Sequence, residues 1–243
     1  MKTTLVVCES PWTEDGKLQP WSMRPFIEGL CELYDARLVY RTFTSGGELR
    51  RLLSDEAIDH SQGRVIVYVA SHGWGGRLDP GREGPLANLA PIAHDMHSGV
   101  ECVWLGACDL GGSKALSRFL DRSGAVLAGG YLCAVDWDAS LLLDLSVLQE
   151  LLKSRSITSR RRAVTVLKSA LQGFTPSWVV GVNVRDDDVA LRKALRVMAR
   201  NRVRGAGSRP KDITHELITA LKWRDVGPRT VNERVSTMPF GAR

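Results

Sequence analysis

The chain reads as an α/β protein, a three-layer α/β/α sandwich around a mostly parallel sheet, and three observations predict it. Short β-branched runs alternate with longer segments whose apolar residues recur at helical spacing. Two of those runs, Arg64–Ser71 and Val100–Ala107, have the length and composition of buried strands, and each stops abruptly at a glycine-rich turn. Between them Pro85–His97 reads as a helix. A right-handed crossover of that kind makes the two strands parallel and brings their carboxyl ends to one edge of the sheet.

The other elements follow in order. Thr3–Cys8 reads as a first strand, and Glu9–Pro20, with Pro11 and Gly16, as a polar loop. Trp21–Tyr34 carries Met23, Phe26, Ile27, Leu30 and Leu33 at helical spacing, and Arg37–Phe43 alternates as a strand. A second helix opens near Thr44 or Ser45, either of which can cap it, with Leu49, Leu52, Leu53 and Ile58 on its apolar side. Beyond Cys108, Ser113–Arg122 is a helix and Ala125–Ala134 a fifth strand weakened by Gly129 and Gly130.

With 243 residues, 44% of them hydrophobic, the chain can bury a large core and is most simply one domain. Its formal charge of +6 gathers at Arg155–Arg162 and Arg192–Lys211. These clusters read as solvated surface; nucleic acid or an acidic partner is the alternative, although no recognised nucleic-acid motif is present. The five cysteines, at 8, 31, 102, 108 and 133, are odd in number and form no C-x-x-C pair, which suits free thiols in a reducing compartment. The short apolar start lacks a cleavage region, and no run approaches the roughly 18 apolar residues of a membrane span, so a soluble, cytoplasmic protein is expected.

No cofactor or metal is expected. Gly73, Gly75 and Gly76 do not form a dinucleotide fingerprint, and no lysine directly follows Gly112 as a phosphate loop requires. His94 and His97 stand three apart on the crossover segment without a third histidine nearby, and both read as facing solvent.

The chemistry concentrates where the two strands end, at His72 and Cys108, 36 residues apart (72 to 108). A thiol must ionise to attack a carbonyl; an adjacent imidazole can take its proton and later protonate the leaving amine, and the start of a helix near Gly112 would favour the negative charge. The backbone N–H groups of Gly73 and Cys108 lie in turns that could aim them at a developing oxyanion. On spacing alone, an inert buried thiol beside a loop histidine explains the pair equally well.

Ser71-His72-Gly73 and the segment Gly106–Gly111, with Ala107 and Cys108 at its centre, resemble the His-Gly and Ala-Cys signatures of the caspase-like cysteine peptidases. The chain departs from caspases in having Gly106 for glutamine, two residues (Asp109 and Leu110) before the next glycine, and a shorter His-to-Cys interval. It is more similar to the bacterial CHAT-domain proteases of that clan. Those share a strand leading into tryptophan and acidic residues, matched by Gly130–Ser140, a helix of the kind at Leu141–Lys153, and a closing strand matched by Pro176–Asn183.

The resemblance covers about residues 1–184 and implies a caspase-like peptidase core with a His72–Cys108 dyad and an oxyanion hole from the Gly73 and Cys108 amides. It further implies cleavage of a protein partner after Arg or Lys, and a regulatory partner protein. Asp136, where a pocket wall is expected, is the first candidate for reading that basic residue, with Asp109 and Asp138 behind it. Asp138 and Ser140 could instead cap a helix beginning near Leu141. Residues 185–243 carry no resemblance and read as a helical extension, either packed on the core or regulatory. Helices are expected over Val189–Met198 and Asp212–Leu221, joined by a linker over Gly205–Pro210. A catalytically inactive interaction domain and a non-peptidase thiol hydrolase are the alternative functions.

Overall fold

The structure, a computed structural model, describes residues 2–14, 17–18, 21–54, 58, 63–81, 85–111, 114–135, 137–157, 160–171 and 180–184. In chain order the elements are β1 (Thr3–Glu9), β2 (Thr13–Glu14), β3 (Lys17–Leu18), α1 (Arg24–Leu33), β4 (Arg37–Thr42), α2 (Gly46–Leu52), β5 (Arg64–Ala70), β6 (His72–Trp74) and β7 (Arg77–Asp79). They continue as α3 (Leu89–His94), β8 (Val100–Gly106), α4 (Lys114–Arg122), β9 (Leu127–Tyr131), α5 (Trp137–Lys153), α6 (Arg160–Leu171) and β10 (Val180–Val184).

Six strands form one sheet in the order β10-β9-β8-β5-β1-β4. Five are parallel, and β10 closes the edge antiparallel to β9. Because helices cover both faces, both sets of alternating side chains are buried, which is why the central strands read as continuous apolar runs. Leu5, Val7, Ile66, Tyr68 and Trp104 share one core with Ile27, Val147, Leu151 and Leu167 of α1, α5 and α6. Val6, Val67, Val69 and Val103 share the other with Leu49, Ile92, Leu116 and Phe119 of α2, α3 and α4.

The helix starts obey local chemistry. The Ser45 hydroxyl accepts the Glu48 N–H at 3.1 Å and caps α2, while the Glu48 carboxylate reaches back to the Thr44 N–H at 2.9 Å. In α1 the buried stripe is Ile27 and Cys31, continued by Met23; Phe26 and Leu33, expected inside, are 44% and 72% exposed.

Several boundaries differ from expectation. The crossover helix is only Leu89–His94, because Ala87 exchanges backbone hydrogen bonds with Leu78 and extends the β7 pairing instead. His97 therefore lies beyond the helix and is 3% exposed, its Nδ1 accepting the Gly99 N–H, so the expected solvent position is wrong. The segment after His72 is a hairpin, not a loop: Gly75 and Gly76, both at positive φ, make the two-residue turn between β6 and β7. A smaller hairpin, β2 with β3, lies within the expected loop before α1. Helix α5 starts at Trp137, so Asp138 and Ser140 lie inside it and do not cap a helix at Leu141; the Ser140 hydroxyl donates to the Trp137 carbonyl at 2.8 Å. Helix α6 takes up part of the basic cluster and was not anticipated. The helices and linker expected after residue 184 lie outside the described residues.

At the amino-terminal edge of the sheet, Arg64 is 7% exposed. Its Nε donates to Glu101 at 2.9 Å, and its Nη1 donates to the carbonyls of Leu151, at 2.8 Å, and Ser154 at the end of α5. Glu101 also accepts the Ile157 N–H. The pair thus ties β5 and β8 to the α5–α6 connection.

Candidate active site

Strands β5 and β8 run side by side to their carboxyl ends, where Ala70 pairs with Gly106. The neighbourhood continues past the sheet, since the Ser71 N–H donates to the Gly106 carbonyl at 3.3 Å. Next along, Gly73 lies directly against Cys108: a Cβ at Gly73 would overlap the Cys108 carbonyl oxygen and stand 2.9 Å from its amide nitrogen. One step further, the Gly75 N–H donates to the Asp109 carboxylate. The His72 hairpin and the Cys108 turn are therefore zipped together, and the absence of a side chain at Gly73 permits it.

Cys108 sits on a sharp turn. Asp109, directly after it, has φ 59°, a left-handed conformation that aspartate tolerates better than most residues. The thiol is half-buried and accepts the Val135 N–H at 3.4 Å. Burial pushes the Cys108 thiol up; the Val135 N–H opposes this, and the carboxylates of Asp109 and Asp144 reinforce it. The expected lowering by an adjacent helix start is not what dominates, since α4 begins only at Lys114. The buried thiols are less acidic still: burial pushes Cys8 up to about 12 and Cys31 up to about 11, and raises Cys102 as well. All five cysteines are free.

His72 opens β6 and is held from the β1 side. The Trp12 indole meets its imidazole edge-to-face, with centroids 5.1 Å apart and planes at 80°. Trp12 is fixed in turn by Glu9, whose carboxylate accepts the indole N–H at 2.6 Å, the Met23 N–H at 2.8 Å, the Ser22 hydroxyl at 2.8 Å and the Tyr40 hydroxyl. Glu9 is 3% exposed. A parallel chain of hydroxyls anchors the neighbouring residue, Ser10 to Ser71 at 3.0 Å and Ser71 to the Asp79 carbonyl at 2.8 Å.

Sequence reasoning missed a second buried acid. Asp144, 2% exposed on α5, accepts the Tyr68 hydroxyl at 2.7 Å, the Trp104 indole N–H at 2.6 Å and the Tyr131 hydroxyl at 2.6 Å. Burial pushes its carboxyl up to about 6 against the pull of those three donors. It occupies the space beside Gly106, where a Cβ would stand 2.7 Å from the carboxylate and 2.6 Å from the Tyr68 hydroxyl. The available signal was one charge inside a leucine-rich segment, on the stripe with Val147, Leu148 and Leu151.

Of the expected pocket acids, Asp109 is committed to the Gly75 N–H, which anchors the hairpin turn. Asp138 lies in the first turn of α5, and Asp136 falls outside the described residues. An aromatic group borders this region: Trp137 meets Trp21 with centroids 5.8 Å apart and Phe26 at 6.5 Å. Among the described residues no cluster of three or more His, Cys, Asp or Glu could hold a metal ion. Nor is any helix among them long and apolar enough to cross a membrane.

No protein-family model and no curated protein matches the chain in sequence. Solved structures match its fold. Caspase-1 from Spodoptera frugiperda is 12% identical with a TM-score of 0.51, the match covering 75% of this chain and 86% of that one. The secreted C11 cysteine protease "iotapain" from Bacteroides thetaiotaomicron is 11% identical with a TM-score of 0.50, covering 82% of this chain and 70% of that one. With a mostly parallel sheet between helical layers and these neighbours, the chain has the caspase-like α/β fold.

Proposed function

We propose that the chain is a cysteine endopeptidase acting on a protein partner, with Cys108 as nucleophile and His72 as general base and acid. The observation that carries this is the packing of Gly73 on the Cys108 backbone, which joins the histidine hairpin to the cysteine turn. In the reaction His72 takes the thiol proton, the thiolate attacks the peptide carbonyl, and the imidazolium protonates the leaving amine; water then hydrolyses the thioester. The amides of Gly73 and Cys108 are the proposed oxyanion donors, a role worth about 3 kcal/mol per donor where it has been measured. The thiolate is helped by the Val135 N–H.

Preference for Arg or Lys before the cleaved bond is part of the same reading. Support comes from the field at the thiol, to which Asp109 and Asp144 both contribute negative charge. Asp136, in the link from β9 to α5, is the proposed residue facing that basic side chain, with Asp138 as the second candidate. Within the caspase-like clan the Gly130–Ser140 segment favours the CHAT-type branch, with residues 1–184 as the peptidase core and a regulatory partner protein. Five free thiols suit a cytoplasmic setting.

The test is labelling at neutral pH with iodoacetamide and with an Arg-terminated acyloxymethyl ketone, followed by peptide mapping. Both probes are expected on Cys108, with the ketone label lost in His72→Ala. Labelling by iodoacetamide alone would leave a thiol hydrolase of another kind. No labelling of Cys108 by either would leave an inactive interaction domain.

A further inference from the structure

From the contacts around His72 we infer that Trp12, held by Glu9, is a positioning residue for the His72 imidazole; the inference rests on the proposed role of His72. An imidazole that must collect a proton from a thiol and hand it to a leaving amine has to be kept from rotating, commonly by a hydrogen-bonded carboxylate or amide. Here the loop after β1 brings an aromatic ring to the same task. The indole and imidazole meet edge-to-face at 5.1 Å, a favoured geometry for aromatic pairs.

A ring on a loop is useful for this only if it is itself immobile. Trp12 is 9% exposed, and its N–H is bonded to a carboxylate that is 3% exposed and takes three further donors, from Ser22, Met23 and Tyr40. Those donors come from the start of α1 and from β4, while Glu9 ends β1 beside Ala70 of β5. The indole is thus fixed relative to the sheet that carries the His72 hairpin.

The test pairs NMR of the His72 ring, tractable in a chain with five histidines, with kinetics on a cleavable peptide. Trp12→Leu is expected to move the His72 ring signals by removing the indole ring current. It should also lower kcat on the order of 10²-fold, the scale of a misplacement of about 1 Å, with KM little changed. Trp12→Phe keeps a ring against His72 and is expected to recover most of the loss. Unmoved His72 signals in Trp12→Leu, a loss confined to KM, or equal losses in the leucine and phenylalanine variants would each overturn the inference. If Trp12→Leu does not fold, Trp12→Met replaces it; that change keeps apolar bulk without a ring, and unmoved His72 signals there count against the idea equally. Should the wild type cleave no peptide, the peptidase reading fails, and the NMR comparison alone decides whether Trp12 orients His72.

Discussion

At the amino-terminal edge of the sheet the buried Arg64 guanidinium faces the Glu101 carboxylate at 2.9 Å, whereas at the carboxyl-terminal edge the buried acids Glu9 and Asp144 take their hydrogen bonds from uncharged indoles, hydroxyls and a backbone amide. The first arrangement cancels charge and pins the connection between α5 and α6. The second leaves the negative charge in place, so the Cys108 thiol feels Asp144 across the packed edge. One edge is built to hold the fold, and the other keeps buried negative charge beside the Cys108 thiol at some cost in stability.

The widest separation between the edges should come from His72→Ala. Turnover is expected to fall by roughly 10² or more while the melting temperature changes little, because His72 is only half-buried at the sheet edge. Steady-state kinetics and calorimetry on one preparation check both halves. Arg64→Met should give the opposite pattern. Leaving the partly buried Glu101 without its cation costs about 3 kcal/mol, the lower end of the range for buried pairs, readable in a urea titration, while activity per folded molecule is retained.

Asp144→Asn sharpens the contrast further. The amide oxygen can keep the Trp104 and Tyr131 donors, and the Tyr68 hydroxyl can turn to accept from the new NH₂. In the folded wild type the carboxyl is pushed up to about 6, above the ordinary carboxylate value of 3.8. Folded protein therefore binds the proton more tightly than unfolded chain, and stability falls as pH rises through the window between those values, on the order of 3 kcal/mol in total. Melting curves across that window should show a shallower decline in Asp144→Asn than in the wild type, the remainder belonging to Asp109, whose carboxyl burial also raises. In the variant, alkylation of Cys108 should also reach half its maximal rate at a lower pH, since one of the charges that raises the thiol is gone. The smallest effect is expected from Tyr40→Phe. It removes one of four donors to Glu9 and should cost about 1 kcal/mol by denaturant titration, with kcat nearly unchanged because Trp12 keeps its own bond.

What could be read from the sequence follows from which forces are local. β1, β5 and β8 were legible because buried parallel strands need β-branched runs, the edge strand β4 because Arg37–Phe43 alternates, and the placement of His72 and Cys108 past the ends of two neighbouring strands because each directly follows such a run. The β6–β7 hairpin was missed although Gly75-Gly76 is a recognised two-residue turn signal; three-residue strands give too little alternation to outweigh the glycines. The crossover helix was drawn too long because Leu86 and Ala87 fit a helical stripe, and the Leu78–Ala87 pairing that claims that segment is non-local. The roles of Glu9, Trp12 and Asp144 were hidden for the same reason, Asp144 showing only as a charge on an apolar stripe. Their partners lie 3 to 76 residues away, and a lone acid gives no hint that aromatic donors will meet it.

Gly106 has a consequence for how this chain can change over generations. While Asp144 and Tyr68 hold their bond, even a methyl group at position 106 has no room, so no larger residue can be reached there by a single replacement. The acid on α5 would have to shrink or leave first, and two phenols and an indole would then need new acceptors. Position 106 and position 144 should accordingly vary together among descendants of this chain, with glycine kept wherever the acid is kept. A lineage holding this pair is confined to routes that alter the far side of the sheet edge before they alter the residue two places before the cysteine.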